Sequence, residues 1–163
     1  MTTLTEHVDV KCPHHEILHH AERYFTVHRR GQTPGTFPLT VDLSSVGLPA
    51  KIQARHDVKI SYAIQKGPDG HDAIALTWDP DDRFVPQFTG LLTGDRLVDG
   101  KSRVTLTGSY TAPLGPVGAV FDAVLGKKIA SATAAALLQD VKQFIESDYQ
   151  SAETTTLASS PKE

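Results

Sequence analysis

The sharpest chemical string in the chain is His15-Glu16-Ile17-Leu18-His19, a literal H-E-x-x-H. On a helix, two histidines four residues apart share one face and can hold zinc, with the glutamate as general base. A catalytic zinc needs a third protein ligand. The extended peptidase pattern does not supply one: Glu22 stands where a glycine is wanted and Phe25 where the third histidine is wanted. After Glu22 the next glutamate is Glu146. His15 and His19 are therefore metal candidates only, and zinc proteolysis is not expected. The plainer reading is a solvated histidine-rich helix face, in which His14, His15, His19, His20 and His28 titrate near neutrality and make this region pH-sensitive.

Two further sets carry chemistry. Phe37, Tyr62, Trp78, Phe88 and Tyr110 lie on predicted strands and Phe121 near the start of a predicted helix. They line either an ordinary core or a cavity for a hydrophobic ligand, oriented by a few polar groups. His56 falls in phase with Val58, Ile60 and Tyr62, so an inward His56 would be a buried imidazole fit for acid–base work or ligand hydrogen bonding. His56 and Tyr110 are the catalytic candidates if the chain is an enzyme. Asp79, Asp81 and Asp82 lack the glycine and terminal glutamate of a calcium loop. No glycine-rich phosphate loop, G-x-S-x-G or activated cysteine motif is present, and no cofactor is expected.

The elements that position these residues follow from hydrophobic period. Leu4, Glu6, Val8 and Val10 alternate with polar neighbours, which predicts a strand. Pro13 opens a short helix through about Tyr24. Between Thr36 and Thr111 the chain reads as about six strands with antiparallel connections. The longest alternating run covers residues 50–65, as one strand or two with a bulge. Gly67-Pro68-Asp69-Gly70 and Asp99-Gly100 are turn signals. Last comes the one long helical segment, residues 114–149. Ile129, Thr133, Leu137, Val141, Phe144 and Ile145 recur at helical steps, and Pro116 suits a first turn. Gly126 predicts a bend or a close approach to the sheet. The small residues of its middle, Ala132 and Ala135 among them, either let the helix sit close on the sheet or leave room for a ligand.

The order strand, short helix, strands, long helix resembles the helix-grip superfamily, the START, birch-pollen-allergen and polyketide cyclase/dehydrase group also written SRPBCC. The opening VDVKCPHHEILHHAERYF is similar to the strand, proline and short helix with which these proteins begin. The Trp78 strand, the Phe84–Gly90 strand, Leu106-Thr107-Gly108-Ser109-Tyr110 and Pro113-Leu114-Gly115-Pro116-Val117-Gly118 resemble an uncharacterised bacterial subset. The resemblance implies an α+β fold: a curved antiparallel sheet of about six to seven strands around the C-terminal helix, with a hydrophobic cavity between. It does not imply one function. The leading expectation is a binder of a small hydrophobic molecule of lipid, polyketide or isoprenoid type, through Phe37, Tyr62, Trp78, Phe88, Tyr110, Phe121, Ala132 and Ala135. The alternatives are a cyclase, dehydratase or hydratase using the same cavity, or an interaction module with a filled core. Whether the chain is an enzyme stays open.

The totals agree. At 163 residues, with 39% hydrophobic and 21% charged residues, one domain over residues 1–149 is expected, with a disordered tail over 150–163. A formal net charge of −3 gives no reason to expect nucleic acid as a partner. No apolar run is long enough for membrane insertion. The single cysteine, Cys12, excludes an intrachain disulfide and fits a reducing cytoplasm. No signal peptide is read at the start, and a homodimer is compatible with these features.

Overall fold

A computed structural model describes residues 2–29, 35–41, 54–80, 87–111 and 123–159. Strand β1 (Thr2–Val10) leads into helix α1 (His14–His28), followed by β2 (Gly35–Val41), β3 (Ala54–Lys66), β4 (Asp72–Pro80), β5 (Gln87–Arg96), β6 (Ser102–Thr111) and helix α2 (Ala123–Ala158). The strands form one antiparallel sheet in the order β1-β6-β5-β4-β3-β2. This is a helix-grip α+β fold, with a curved sheet, a short helix after the first strand and a long C-terminal helix. The Pro113–Gly118 turn and Phe121 lie outside the described residues. Among the described residues, no helix is long and apolar enough to cross a membrane.

Alternation predicted the strands because one sheet face is buried and the other is wet. In β1, Leu4, Val8 and Val10 are buried while Thr5, His7 and Asp9 are exposed. The residue 50–65 run resolves into β3, which pairs without interruption with β4 from Val58↔Pro80 to Lys66↔Asp72. The β5–β6 hairpin turns at Asp99 and Gly100, both at positive φ (59° and 69°), the conformation its two-residue connection demands. Helix α1 runs four residues beyond the expected Tyr24. The Arg29 amide donates to the Phe25 carbonyl, and a His28 ring nitrogen lies 2.9 Å from the Tyr24 carbonyl oxygen.

One place in the sheet requires glycine. Gly90 and Gly108 pair across β5 and β6. A Cβ on Gly90 would lie 2.5 Å from Phe88 Cζ and 2.3 Å from the Thr107 carbonyl oxygen. The missing side chains leave a hollow, and the Phe88 ring lies across both glycines. Trp78 then stacks on Phe88 with centroids 4.3 Å apart and ring planes 19° from parallel. Both rings are buried.

Helix α2 covers this face. Its buried residues are Ile129, Ala130, Thr133, Ala134, Leu137, Leu138, Val141 and Ile145, a single helical stripe. Gly126 is buried on the same side within the continuous helix. Its backbone comes closest to β1, next to β2, and much less to the middle strands. Near its C-terminal half the helix is tied to β1. The Lys11 amide donates to Glu146 Oε1 at 2.9 Å, and Lys142 Nζ donates to the Asp9 carbonyl at 2.6 Å. Residues 150–158, expected as a disordered tail, are the last turns of α2. Their Ser and Thr hydroxyls donate to carbonyls one turn back, as Thr154 does to Gln150 and Thr155 to Ser151. A tail of small polar residues looks structureless by composition, but here it continues a helix already nucleated by packing.

Gly90→Ala should therefore destabilise the fold by about 1–3 kcal/mol, the usual range for overpacking, as read by urea unfolding. Burial pushes the Glu146 carboxyl up, but the Lys11 amide and the Lys142 ammonium outweigh it and hold the group below its ordinary 4.5. A depressed carboxyl stabilises the fold above 4.5, and that contribution disappears as pH falls through the lower folded value. Glu146→Gln should be less stable than wild type at neutral pH, with the gap closing below about pH 4 in a urea–pH series.

Candidate functional site

Among the described residues, the buried face of α2 carries one polar side-chain atom without a hydrogen-bond partner. Thr133 is fully buried, and its Oγ1 has no hydrogen-bond partner. A helical threonine ordinarily turns its hydroxyl onto the carbonyl four residues back, as Thr154 and Thr155 do. Leaving a buried hydroxyl unpaired costs roughly 1–3 kcal/mol. Around it the α2 face is made of small and aliphatic groups: Ala130, Ala134 and Leu137 are all buried.

At one end of the sheet Leu4 pairs with Gly108, and Gly108 with Gly90. The Phe88–Trp78 stack belongs to the same end of the sheet, with Tyr110 paired to Phe88 and buried.

The expected ligand set divides on this geometry. Trp78, Phe88 and Tyr110 are buried together at one end of the sheet, Phe88 pairing with both Trp78 and Tyr110. Phe37 and Tyr62 instead belong to a cluster beneath α1. Phe37 meets Tyr24 and Phe25 at centroid distances of 5.5 and 5.9 Å. Tyr62 packs on Phe25 at 5.6 Å, and its hydroxyl is 2.8 Å from Thr26 Oγ1. Ala135 is exposed and Ala132 half-buried, so the expectation that both face the cavity is corrected. The cause is helical phase: at 100° per residue, Ala132 stands about 100° and Ala135 about 200° from Thr133. Residue size suggested them, whereas the Ile129-Thr133-Leu137 period selects Thr133. Backbone pairing sets His56 opposite Leu39. The His56 side chain lies outside the described residues, as does Phe121.

A second cluster joins the helices, and it corrects the reading of His20 as part of a solvated face. His20 is buried, with Nδ1 2.6 Å from Asp148 Oδ2 and Nε2 3.2 Å from Glu16 Oε2. Arg23 Nη2 lies 3.2 Å from the other Asp148 oxygen, and the Tyr149 ring stands edge-on to the imidazole at 5.9 Å. Both ring nitrogens thus face carboxylates, and Asp148 is shared between two side chains of α1. The Tyr149 hydroxyl donates to Glu153 Oε1, and this bond, with burial, pushes its pKa up to about 12, making it a weaker acid than a free tyrosine. The partner of His20 across the interface, Asp148, is 128 residues away, beyond the reach of any local pattern. His15 and His19 are exposed, and Glu16 stands between two imidazoles, with Oε2 3.2 Å from His20 Nε2 and Oε1 3.4 Å from His15 Nε2. Among the described residues no three donors are grouped to hold a metal. Cys12 is buried, and burial, with nearby carboxylates, pushes its thiol up to about 12, which leaves it unreactive. A cleft of about 980 Å³, lined by His14, His15, Arg96 and Lys101, opens between the start of α1 and the β5–β6 turn.

With fold and site in view, the chain is a helix-grip α+β protein. No family model matches it, and no curated protein does. Among solved structures it is similar to a protein from Thermus thermophilus, TTHA0849, with 13% identity over 90% of this chain and 99% of that one, at a TM-score of 0.45. It is similar also to XoxI from Bacillus cereus, with 11% identity over 91% and 99% and a TM-score of 0.43. A third likeness is the di-domain ARO/CYC StfQ from the steffimycin biosynthetic pathway, with 12% identity over 90% of this chain and a TM-score of 0.44; this chain spans 51% of that protein. Likenesses at this level leave function to be argued from the residues themselves.

His20→Ala removes the group between Asp148 and Glu16 and should cost about 2–3 kcal/mol in urea unfolding. Arg23→Ala, at a half-exposed partner of the same carboxylate, should cost under about 1 kcal/mol.

Proposed function

We propose that this protein binds a small, largely apolar molecule carrying one hydrogen-bonding group, between α2 and the middle strands of the sheet. The observation that carries this reading is the buried, unpartnered hydroxyl of Thr133. It sits on the buried stripe of α2 with Ile129, Ala130, Ala134 and Leu137. The hydroxyl can donate or accept, so a carbonyl or hydroxyl on the ligand would satisfy it. Apolar burial would supply most of the affinity, at about 25 cal/mol per Å² before ordering costs. The SRPBCC resemblance read in the sequence points to the same space, and a lipid, polyketide or isoprenoid compound has the required chemistry.

Thr133→Val tests this directly, because it keeps shape and deletes the hydroxyl. The apo variant should be more stable by about 1 kcal/mol, since a buried orphan is removed. Untagged wild-type protein from its own host should carry an extra mass in native mass spectrometry that leaves on denaturation. Thr133→Val should carry little or none of it. A folded variant that retains the mass in full would show that Thr133 is not the anchor.

A further inference from the structure

His20 is only 2% exposed, and each of its ring nitrogens faces a carboxylate oxygen. Nδ1 lies 2.6 Å from Asp148 Oδ2 on α2, and Nε2 lies 3.2 Å from Glu16 Oε2 on α1. An ionised carboxylate only accepts hydrogen bonds, so each contact needs a proton on its line. A neutral imidazole has one N–H. It could serve Asp148, but its Nε2 lone pair would then stand against the Glu16 charge. The closed joint therefore calls for a second proton, at Nε2 opposite Glu16.

The groups around the ring set the balance of charge. On α1, Arg23 Nη2 lies 3.2 Å from Asp148 Oδ1, His15 Nε2 lies 3.4 Å from Glu16 Oε1, and the His19 ring stands edge-on to His20 at 5.3 Å. On α2, the Tyr149 ring stands edge-on at 5.9 Å, and its hydroxyl donates to Glu153. Cys12, at the joint of β1 and α1, keeps its proton through burial and then through Glu16. Cations farther off are engaged elsewhere: Arg103 with Asp9, Lys66 with Asp72, and Lys142 with Glu146. Arg23 answers the Asp148 charge. The other partner of Glu16, His15, is 78% exposed, and water screens that pair. On its buried side the Glu16 charge is met by the proton on His20.

We propose that the α1–α2 joint is a proton-operated latch, closed while His20 holds its second proton against Glu16 and loosened when that proton leaves. On its loss the Nδ1–H keeps Asp148, the nearer of the two carboxylates and the one supported by Arg23. Nε2 and Glu16 then repel. Glu16, its side chain 38% exposed, turns out to water, and the first turns of α1 lose their inner tie to the ring that joins them to α2. The sign follows from linkage. The closed joint binds one proton more than the open one, so its contribution is full in mildly acidic solution and declines as pH rises. Below about pH 4 the carboxylates take up protons themselves, and the latch fails from the other side.

Imidazole nitrogen-15 spectra and amide hydrogen exchange of the untagged full chain, followed from about pH 6 to about pH 9, test this. In wild type, His20 should carry two ring protons at the acidic end and lose one on the way up. Over the same interval, exchange in α1 should quicken at least about ten-fold relative to β3 and β4, after correction for the intrinsic effect of pH; one linked proton shifts an equilibrium by up to ten-fold per pH unit. Glu16→Gln, checked for fold by circular dichroism, isolates the proton. Its amide can donate to a neutral Nε2, so the joint closes without the second proton and the relative exchange of α1 should stay flat. Wild-type quickening in Glu16→Gln would overturn the latch. So would a flat wild-type profile, or a wild-type His20 with a single ring proton at the acidic end.

Discussion

A helix is narrower than the sheet it must cover here. Six strands at about 4.8 Å span on the order of 24 Å, whereas a helix with its side chains is about 10–12 Å across. The sheet resolves the mismatch by curving, so that β1 and β2, the two edges, come nearest to α2. The middle strands stand farther off, and their inward side chains are accordingly large: Trp78, Leu76, Phe88 and Leu92 are all buried. The Gly90–Gly108 pair belongs to the same solution, since it lets Phe88 lie flat and Trp78 stack above it. A separation that aromatic rings must fill is also where a small molecule has most to gain from displacing or joining them.

The fold was legible in the sequence because its signals are periodic. Strand alternation in β1, β3 and β6 and the three-to-four step of α2 each report which face is buried, and burial is what the period records. The unpaired Thr133 hydroxyl was only half legible. Its phase was visible, but its lack of a partner is a fact about every neighbouring atom. Ala132 and Ala135 show the opposite error, where residue size outweighed phase. His20 was illegible for a third reason. A histidine among histidines reads as solvated, and the carboxylate that accounts for its burial arrives from the far end of the chain.

The two helices are joined by two kinds of force. Tyr24 meets Phe144 edge-on at 5.6 Å, and beside that apolar contact His20 and Arg23 converge on Asp148. Apolar contact alone would let α1 slide along α2, because burial has little directional preference. A carboxylate shared by an imidazole and a guanidinium has direction, and it sets the register of one helix on the other.

Cys12 adds a consequence of its own. It lies at the joint between β1 and α1, its carbonyl receives the Ser102 hydroxyl at 2.7 Å, and its thiol is held in the unreactive protonated form. An alkylating reagent cannot reach this sulfur while the joint is closed, and the chain holds no second thiol to compete for it. The rate at which the native protein takes up one thiol label is therefore an intrinsic clock for the parting of β1 from α1, and it needs no engineered probe.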